Sequence, residues 1–215
     1  RFIWNENINH WDVSNVEDMS CLFKDFMKFN QPLHDWNTSK VKYMDFMFYG
    51  CLKFNQPLNS WNVSKVINMK SMFSGCQCFN QPLFTVSSKL INTKEMFKNC
   101  IQFNQSLDSW NVTNVKDMER MFYGCENFNQ PLSSWNVSKV QYMEKMFYKC
   151  KNFNQPLNSW NVSKVEDMDS MFINCSSFNQ PLNSWDVSNV ENMNCMFERC
   201  SSFNQPLDSW NTSNV

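Results

Sequence analysis

Residues 153–177 read FNQPLNSWNVSKVEDMDSMFINCSS, and the rest of the chain repeats this 25-residue unit with few changes. The first aromatic residue of the unit recurs at Trp4, Phe29, Phe54, Phe79, Phe103, Phe128, Phe153, Phe178 and Phe203. These starts define eight complete units and a partial ninth. A period of this length is typical of a solenoid, in which each coil buries its apolar face against its neighbours. We therefore expect residues 1–215 to form a single solenoid domain without a linker.

The second half of each unit has the apolar spacing of a short helix. In the third unit, one stripe of a helix about ten residues long would contain Val66, Met69, Met72, Phe73 and Cys76. Capping boxes at the predicted helix start pair Ser14 with Glu17, Ser138 with Gln141, Ser163 with Glu166, and Ser188 with Glu191. The three glycines, Gly50, Gly75 and Gly124, share one position near the predicted helix end. Glycine there indicates a left-handed helix C-cap.

The first half of each unit predicts a short parallel strand around the Gln-Pro-Leu sequence, because proline removes one donor and keeps the strand short. The predicted fold class is thus an α/β repeat solenoid, leucine-rich-repeat-like, with one short strand and one short helix per coil. Stacking would also align the asparagines Asn30, Asn55 and Asn80 and those that follow. We expect them to form a buried ladder with hydrogen bonds from amide to amide.

The stretch from Trp160 to Cys175, WNVSKVEDMDSMFINC, carries a family resemblance. It resembles the BspA-like leucine-rich repeats and the similarly sized repeats of Mycoplasma and Listeria surface lipoproteins, which also occur in protists and large DNA viruses. The resemblance covers nearly the whole chain. It implies strands on one side, short helices on the other, and a role in adhesion or protein–protein contact, and it implies no catalytic residues. The chain departs from it in having Phe-Asn-Gln-Pro-Leu where many members have a leucine-rich strand.

One unit is irregular. Only 24 residues separate the starts at Phe79 and Phe103, the tryptophan is missing, and Thr93 replaces the first methionine. Such a unit is either a degenerate coil that its neighbours tolerate or a functional bend in the stack.

The ten cysteines divide into a ladder and three others. The ladder position is occupied by Cys51, Cys76, Cys100, Cys125, Cys150, Cys175 and Cys200. Stacked side chains with parallel Cβ directions are poorly oriented for disulfides, so we expect free buried thiols. Cys21, Cys78 and Cys195 lie off the ladder and are candidates for exposure. The spacing does not match a zinc site.

Composition argues against several classes of function. A net charge of −1 provides no electrostatic footprint for nucleic acid, and the sequence has no apolar stretch of about eighteen residues that would insert into a membrane. It shows neither a Ser-His-Asp set nor a glycine-rich phosphate loop. We therefore expect a protein that is not an enzyme and needs no cofactor or metal.

Differences between units mark the candidate interaction surface. The units vary at predicted outward positions such as Glu119, Arg120, Glu144, Lys145 and Asp169. All five tyrosines lie in two columns on that side, namely Tyr43 with Tyr142, and Tyr49 with Tyr123 and Tyr148. Exposed tyrosine is favoured at interfaces because it offers contact area with few rotatable bonds. The alternative is that these rings only cover the predicted helices.

Three functions remain open at this point. The first is a surface-displayed scaffold that binds a protein partner, at the cell surface or outside the cell, or alternatively on a virion or in a host cytoplasm. The second is a structural component of a filament or particle shell, formed when copies stack end to end. The third is binding of a repetitive glycan, with the tryptophan column as a stacking platform. A glycan platform requires exposed indoles, whereas a core role requires buried ones.

Overall fold

The computed structural model describes residues 6–215, so the predicted first start, Trp4, lies outside the described part. Residues 6–215 contain neither an α-helix nor a continuous β-strand. They form stacked coils, and a single row of isolated parallel bridges runs along the stack. The bridges pair Asp18 with Tyr43, Tyr43 with Asn68, Asn68 with Asn92, Asn92 with Asp117, Asp117 with Tyr142, Tyr142 with Asp167, and Asp167 with Asn192. The predicted α/β solenoid, with one strand and one helix per coil, is therefore wrong.

The segment predicted to be helical is a run of overlapping turns, which we call the turn segment. The turn segments comprise residues 19–26, 44–51, 69–76, 93–100, 118–125, 143–150, 168–175 and 193–200. In the second of them, the N–H groups of Met47, Tyr49 and Cys51 donate to carbonyls three residues earlier, at 3.3, 3.1 and 3.0 Å. The alternate N–H groups point to the next coil, as when Phe48 donates to the Met72 carbonyl at 2.9 Å. An α-helix would instead bond its N–H groups four residues back within the segment.

Each turn segment contains two residues with positive φ, at its third and seventh positions. In the second segment these are Phe46 at 56° and Gly50 at 72°. A positive φ at the third residue of a four-residue turn is the feature of a type II turn. The glycine position was therefore predicted correctly as left-handed, but it closes a turn and not a helix. The other left-handed position carries residues such as Arg120 and Lys145, so no glycine signals it in the sequence.

The spacing between coils explains why turns replace helices. Backbone hydrogen bonds connect successive coils through the turn segments, and such bonds hold neighbouring chains about 4.8 Å apart. Packed helices need about 8–10 Å between their axes. A solenoid with helices on one side must therefore curve, whereas this chain also bonds coil to coil on the opposite side. Turns allow successive coils to lie at the closer spacing on both sides of the stack.

The predicted capping boxes belong to turns of a different kind. The N–H groups of Ser138, Ser163 and Ser188 each donate to the side-chain oxygen of the Asn or Asp two residues earlier, at 3.1 Å. Ser14 does the same with Asp12 at 3.0 Å. These are Asx turns, in which a short polar side chain mimics a backbone turn. The serine spacing therefore marks a change of chain direction and not a helix start.

The Asn-Gln-Pro-Leu side contains no strand in the described coils, and its asparagine ladder differs from the predicted one. The N–H group of Asn55 donates to the Asn30 Oδ1 atom at 2.9 Å, and Gln56 Nε2 donates to the Asn30 carbonyl at 3.1 Å. The Asn30 Oδ1 atom also accepts a hydrogen bond from Gln56 Nε2 at 3.2 Å, so the side chain bonds to the backbone and to the glutamine amide of the next coil and not to the next asparagine side chain. The same N–H to Oδ1 bond, at 2.9 Å, joins Asn80 to Asn55, Asn104 to Asn80, Asn129 to Asn104, Asn154 to Asn129, Asn179 to Asn154, and Asn204 to Asn179. These asparagines are half-buried or exposed, so the prediction of a buried ladder was also wrong.

Aromatic columns fill the interior between the two sides. Phe122 is fully buried and stacks on Phe97 at 5.8 Å and on Phe147 at 5.7 Å between ring centroids. The indoles of Trp160 and Trp185 stack at 6.5 Å with parallel planes. The repeated tryptophans, all buried except the half-buried Trp210, donate Nε1–H to a carbonyl of the preceding coil, at 2.9–3.0 Å. The bonds run from Trp36 to Ile8, Trp61 to Leu33, Trp110 to Phe84, Trp135 to Leu107, Trp160 to Leu132, Trp185 to Leu157, and Trp210 to Leu182.

This burial predicts the response of tryptophan fluorescence to acrylamide. Trp135 and Trp160 are only 3% and 2% exposed, whereas Trp11 is 37% exposed. Trp210 is only half-buried, so a variant with Trp4→Phe, Trp11→Phe and Trp210→Phe should be almost unquenched in its native state, because acrylamide needs contact with the indole. Unfolding the same variant in guanidinium should restore full quenching. Strong quenching of the native variant would contradict the core assignment.

The irregular unit continues the stack without a break. Phe84 inserts its ring into the tryptophan column, 6.5 Å from Trp61 and 6.2 Å from Trp110. Thr93 is buried, and its hydroxyl donates to the Asp117 carbonyl at 3.3 Å. One residue is missing, yet the aromatic column remains complete. This favours the degenerate coil over a functional bend.

The cysteine ladder is buried as predicted. Each thiol donates to a phenylalanine carbonyl of the preceding coil, as Cys125 does to Phe97 at 2.9 Å and Cys150 to Phe122 at 3.0 Å. Burial raises the pKa of the Cys51 thiol to about 12 and that of Cys200 to about 11. It also raises the pKa values of Cys76, Cys100, Cys125, Cys150 and Cys175 well above that of an ordinary thiol. Of the three other cysteines, Cys21 and Cys195 are exposed and Cys78 is half-buried.

Candidate functional site

The tyrosines occupy two positions on the outer side of the turn segments. Tyr49, Tyr123 and Tyr148 are the sixth residues of their segments, and Tyr43 and Tyr142 are the bridge residues just before a segment. Tyr43 and Tyr142 are the more exposed type, at 40% and 42%. The predicted columns therefore exist as positions, although turns and not helices carry them.

Only two of the five tyrosines contact each other. Tyr123 and Tyr148 lie in successive coils, and their rings stack at 4.5 Å with 4° between planes. Lys98 Nζ lies 5.9 Å from the Tyr123 ring centroid, and Lys149 Nζ lies 5.4 Å from that of Tyr148. Cations at these distances interact favourably with the ring faces. The pair is thus a two-ring platform with a lysine near each ring.

Tyr49 lies in a separate cluster that the sequence analysis did not identify. Its ring is 5.8 Å from that of Phe46, and Lys24 Nζ lies 5.5 Å from both ring centroids. Lys70 Nζ is 5.6 Å from the Phe46 ring. Phe46 is left-handed and half-buried at a position predicted to be an ordinary helix residue. A large apolar residue at an otherwise polar position was the available sequence signal.

A groove lies beside the stacked pair and has a volume of about 350 Å³. We call it the cationic groove, and it is lined by Lys98, Asn99, Arg120, Tyr123, Lys145 and Tyr148. Because neighbouring turn segments are held together by backbone hydrogen bonds, these side chains project from one continuous scaffold. The sequence analysis identified the tyrosines and the variability of Arg120 and Lys145, but it did not identify the groove.

The bases of the groove take part in an ion-pair network that runs across the coils. Arg120 Nη2 lies 2.7 Å from Glu144 Oε1, and Lys145 Nζ lies 2.5 Å from the same atom and 2.7 Å from Asp169 Oδ2. Arg120 also pairs with Glu119. The network ties three turn segments together through partly buried charges, which are screened less than fully exposed ones.

Two further pairs extend the network toward the irregular coil. Lys98 Nζ lies 3.0 Å from Glu95 Oε1, and Lys94 pairs with Glu119. Burial acts to raise the pKa of Glu95, but the hydrogen bond and charge of Lys98 outweigh it, so the pKa is lowered. Burial raises the pKa of Asp117 on the bridge row. The lowered pKa of Glu95 keeps this carboxylate anionic at neutral pH.

Two other kinds of site, a metal centre and a membrane-spanning helix, are not found within residues 6–215. No cluster of three or more His, Cys, Asp or Glu side chains in this part of the chain is close enough to hold a metal ion. The described residues also include no helix that is long and apolar enough to cross a bilayer. The groove beside the tyrosine pair is therefore the candidate site that we consider.

The family comparison agrees with this repeat organisation. The model of a family described as "Mycoplasma protein of unknown function, DUF285" matches residues 2–92, 85–175 and 135–215. The chain belongs to this family. The overlapping matches extend over almost all the repeats. They confirm the part of the expected resemblance, carried by Trp160 to Cys175, that concerns Mycoplasma repeats. A search of curated proteins gave no match.

Two solved structures show a weaker likeness. The chain is 14% identical to a leucine-rich repeat protein from Bacteroides ovatus, with a TM-score of 0.34, covering 87% of this chain and 69% of that one. It is 10% identical to an internalin from Listeria monocytogenes, with a TM-score of 0.25, covering 83% of this chain and 62% of that one. At these TM-scores, neither superposes closely on the turn-built coils described above.

Proposed function

We propose that this chain is a non-enzymatic repeat scaffold for protein–protein contact, and that its binding surface is the cationic groove with the Tyr123–Tyr148 pair. The supporting observation is that the pair lies in consecutive coils, with parallel rings 4.5 Å apart, beside a groove of about 350 Å³. Interface hot spots are enriched in tyrosine and arginine. Arg120 and both tyrosines line the same groove. Display at a cell surface is part of this proposal and rests on the family resemblance alone.

The bridge row supplies a second argument, which concerns the exposed tyrosines. In six of the eight bridge positions an Asp or Asn side chain accepts the N–H group two residues later. The acceptors are Asp18, Asn68, Asn92, Asp117, Asp167 and Asn192, at 2.7–3.1 Å. Tyrosine has no side-chain oxygen near enough to make this bond, and Tyr43 and Tyr142 are 40% and 42% exposed. Exposed rings at positions where tyrosine adds no hydrogen bond to the fold support a role in contact with a partner protein.

Restoring the missing bond should stabilise the protein. Replacing Tyr142 with asparagine places an acceptor near the Glu144 N–H group, as Asn68 does for Lys70 at 3.0 Å. We expect the free energy of unfolding to rise by about 0.5–1 kcal/mol, the net value of one added hydrogen bond. Chemical denaturation measures this change, and Tyr142→Phe serves as the control without an acceptor. A loss of stability in the asparagine variant would show that the ring of Tyr142 is structural.

Selection from a random peptide library tests the proposed function. The immobilised protein should enrich peptides, and a variant with Tyr123→Ser and Tyr148→Ser should bind them at least about thirtyfold more weakly, because the loss of even one hot spot costs about 2 kcal/mol. Tyr49→Ser is the matched control, since Tyr49 has the same position in its turn segment but lies outside the groove. Equal binding by all three proteins would remove the tyrosine pair from the proposed surface. Failure to enrich any peptide would contradict the scaffold proposal.

A further inference from the structure

The basic side chains of the cationic groove are more exposed to solvent than the carboxylates with which they pair. In the pairs that Lys98 and Arg120 make with Glu95, the base side chains are each 29% exposed and the carboxylate is 16% exposed. Lys145 is 27% exposed, and its partners Glu144 and Asp169 are 22% and 19% exposed. The bases line the groove, and their carboxylates do not. A ligand that enters the groove therefore meets positive charge first.

The bases retain hydrogen-bonding capacity beyond their internal partners. Lys145 Nζ has three N–H donors, and its two carboxylate contacts are to Glu144 and Asp169. A guanidinium has five donors, and that of Arg120 is shared among Glu95, Glu119 and Glu144. The internal ion pairs fix the position of both bases while leaving donors for an incoming acceptor. Fixed donors cost less entropy on binding than free side chains do.

The shape and charge of the groove select the kind of anion. Its three lining bases lie on three consecutive turn segments, and two tyrosine rings accompany them. A long polyanion needs an extended basic surface, whereas the whole chain has a net charge of −1. The rings offer apolar contact that a bare inorganic anion does not use. A short peptide with carboxylates and an apolar side chain matches both features.

We propose that the cationic groove binds an acidic segment of a partner protein. Its carboxylates would accept hydrogen bonds from Lys98, Arg120 and Lys145, and an apolar side chain would pack against Tyr123 or Tyr148. This inference rests on the proposed function, because it specifies the chemistry of the partner of the same surface. Partly buried charges strengthen such contacts relative to fully exposed ones.

The composition of selected peptides tests this inference. Peptides enriched by the native protein should contain more Asp and Glu than the input library, and their affinity should fall as salt is raised. Fluorescence anisotropy of one selected peptide should show roughly fivefold weaker binding to a Lys98→Gln variant, as expected for about 1 kcal/mol from a partly exposed charge. In the native structure Arg120 Nη1 also lies 3.6 Å from Glu95 Oε1, so Glu95 would keep a partner in that variant. Lys98→Glu should abolish binding.

Lys24→Gln is the matched control, because Lys24 is also the sixth residue of its turn segment and lies outside the groove. It should bind the peptide as tightly as the native protein. Enrichment of neutral or basic peptides that still require Tyr123 and Tyr148 would overturn the acidic-segment inference and leave the proposed function standing. Tighter binding of a polyphosphate probe than of the selected peptide, with the same dependence on Lys98, would overturn it in favour of a polyanion.

Discussion

Replacing Phe122 with alanine is expected to lower the free energy of unfolding by about 3–5 kcal/mol, the usual cost of removing a buried phenylalanine. Phe122 is fully buried and stacks with Phe97, Phe128 and Phe147 at 5.8, 4.3 and 5.7 Å. Its removal opens a cavity that coils joined by backbone bonds cannot close by moving together. Urea denaturation followed by tryptophan fluorescence measures the loss.

The control for this prediction is Phe197→Ala. Phe197 lies in the same column, two coils from Phe147 and three coils from Phe122. Phe197 is half-buried and packs on Phe172 and Phe203 at 5.7 and 4.2 Å. Its truncation should cost less, about 1–2 kcal/mol, because less apolar area returns to water. Equal losses at Phe122 and Phe197 would show that the central column is not packed more tightly than its half-buried member.

Raising the pH above 9 is expected to unfold the protein over a narrow range. The seven ladder thiols have native pKa values raised by burial, to about 12 at Cys51 and about 11 at Cys200. In the unfolded chain they ionise near pH 9, so the unfolded state then holds fewer protons than the native state. Stability is therefore complete below pH 9 and falls as the pH rises. Each thiol contributes a slope of about 1.4 kcal/mol per pH unit, which gives roughly 10 kcal/mol per pH unit for the seven together.

Circular dichroism along a pH titration from 7 to 11, in the presence of reductant, checks this expectation. A variant with Cys100→Ala, Cys125→Ala and Cys150→Ala retains four ladder thiols. The slope of its unfolding free energy above pH 9 should fall to roughly 5–6 kcal/mol per pH unit. The slope is the decisive quantity, because the substitutions also shift the midpoint through lost packing. Equal slopes for the two proteins would mean that the ladder thiols do not drive alkaline unfolding.

The candidate site was only partly predictable. The position of Tyr123 one repeat before Tyr148 follows from the period alone, and so does their proximity. The cationic groove does not follow from the period. It depends on the directions of the Lys98, Arg120 and Lys145 side chains, and these directions are set by the turns and their left-handed residues. Arg120 lies at a left-handed position of its turn segment, and it lines the groove together with Tyr123. Because the sequence analysis predicted helices where the chain has turns, it did not identify the groove.

The same reasoning separates what the sequence determined from what the tertiary structure decided. The 25-residue period determined that coils stack, that Phe122 and Trp135 enter the core, and that the cysteines form a buried column, since identical side chains at a fixed interval share one environment. The spacing of Val66, Met69, Met72 and Phe73 suits an apolar face made by either a helix or consecutive turns. Only the stack decides between them, because its hydrogen bonds between coils hold successive coils closer than packed helices permit. The local sequence pattern thus determines which residues are buried, and the distance between coils determines the backbone conformation that carries them.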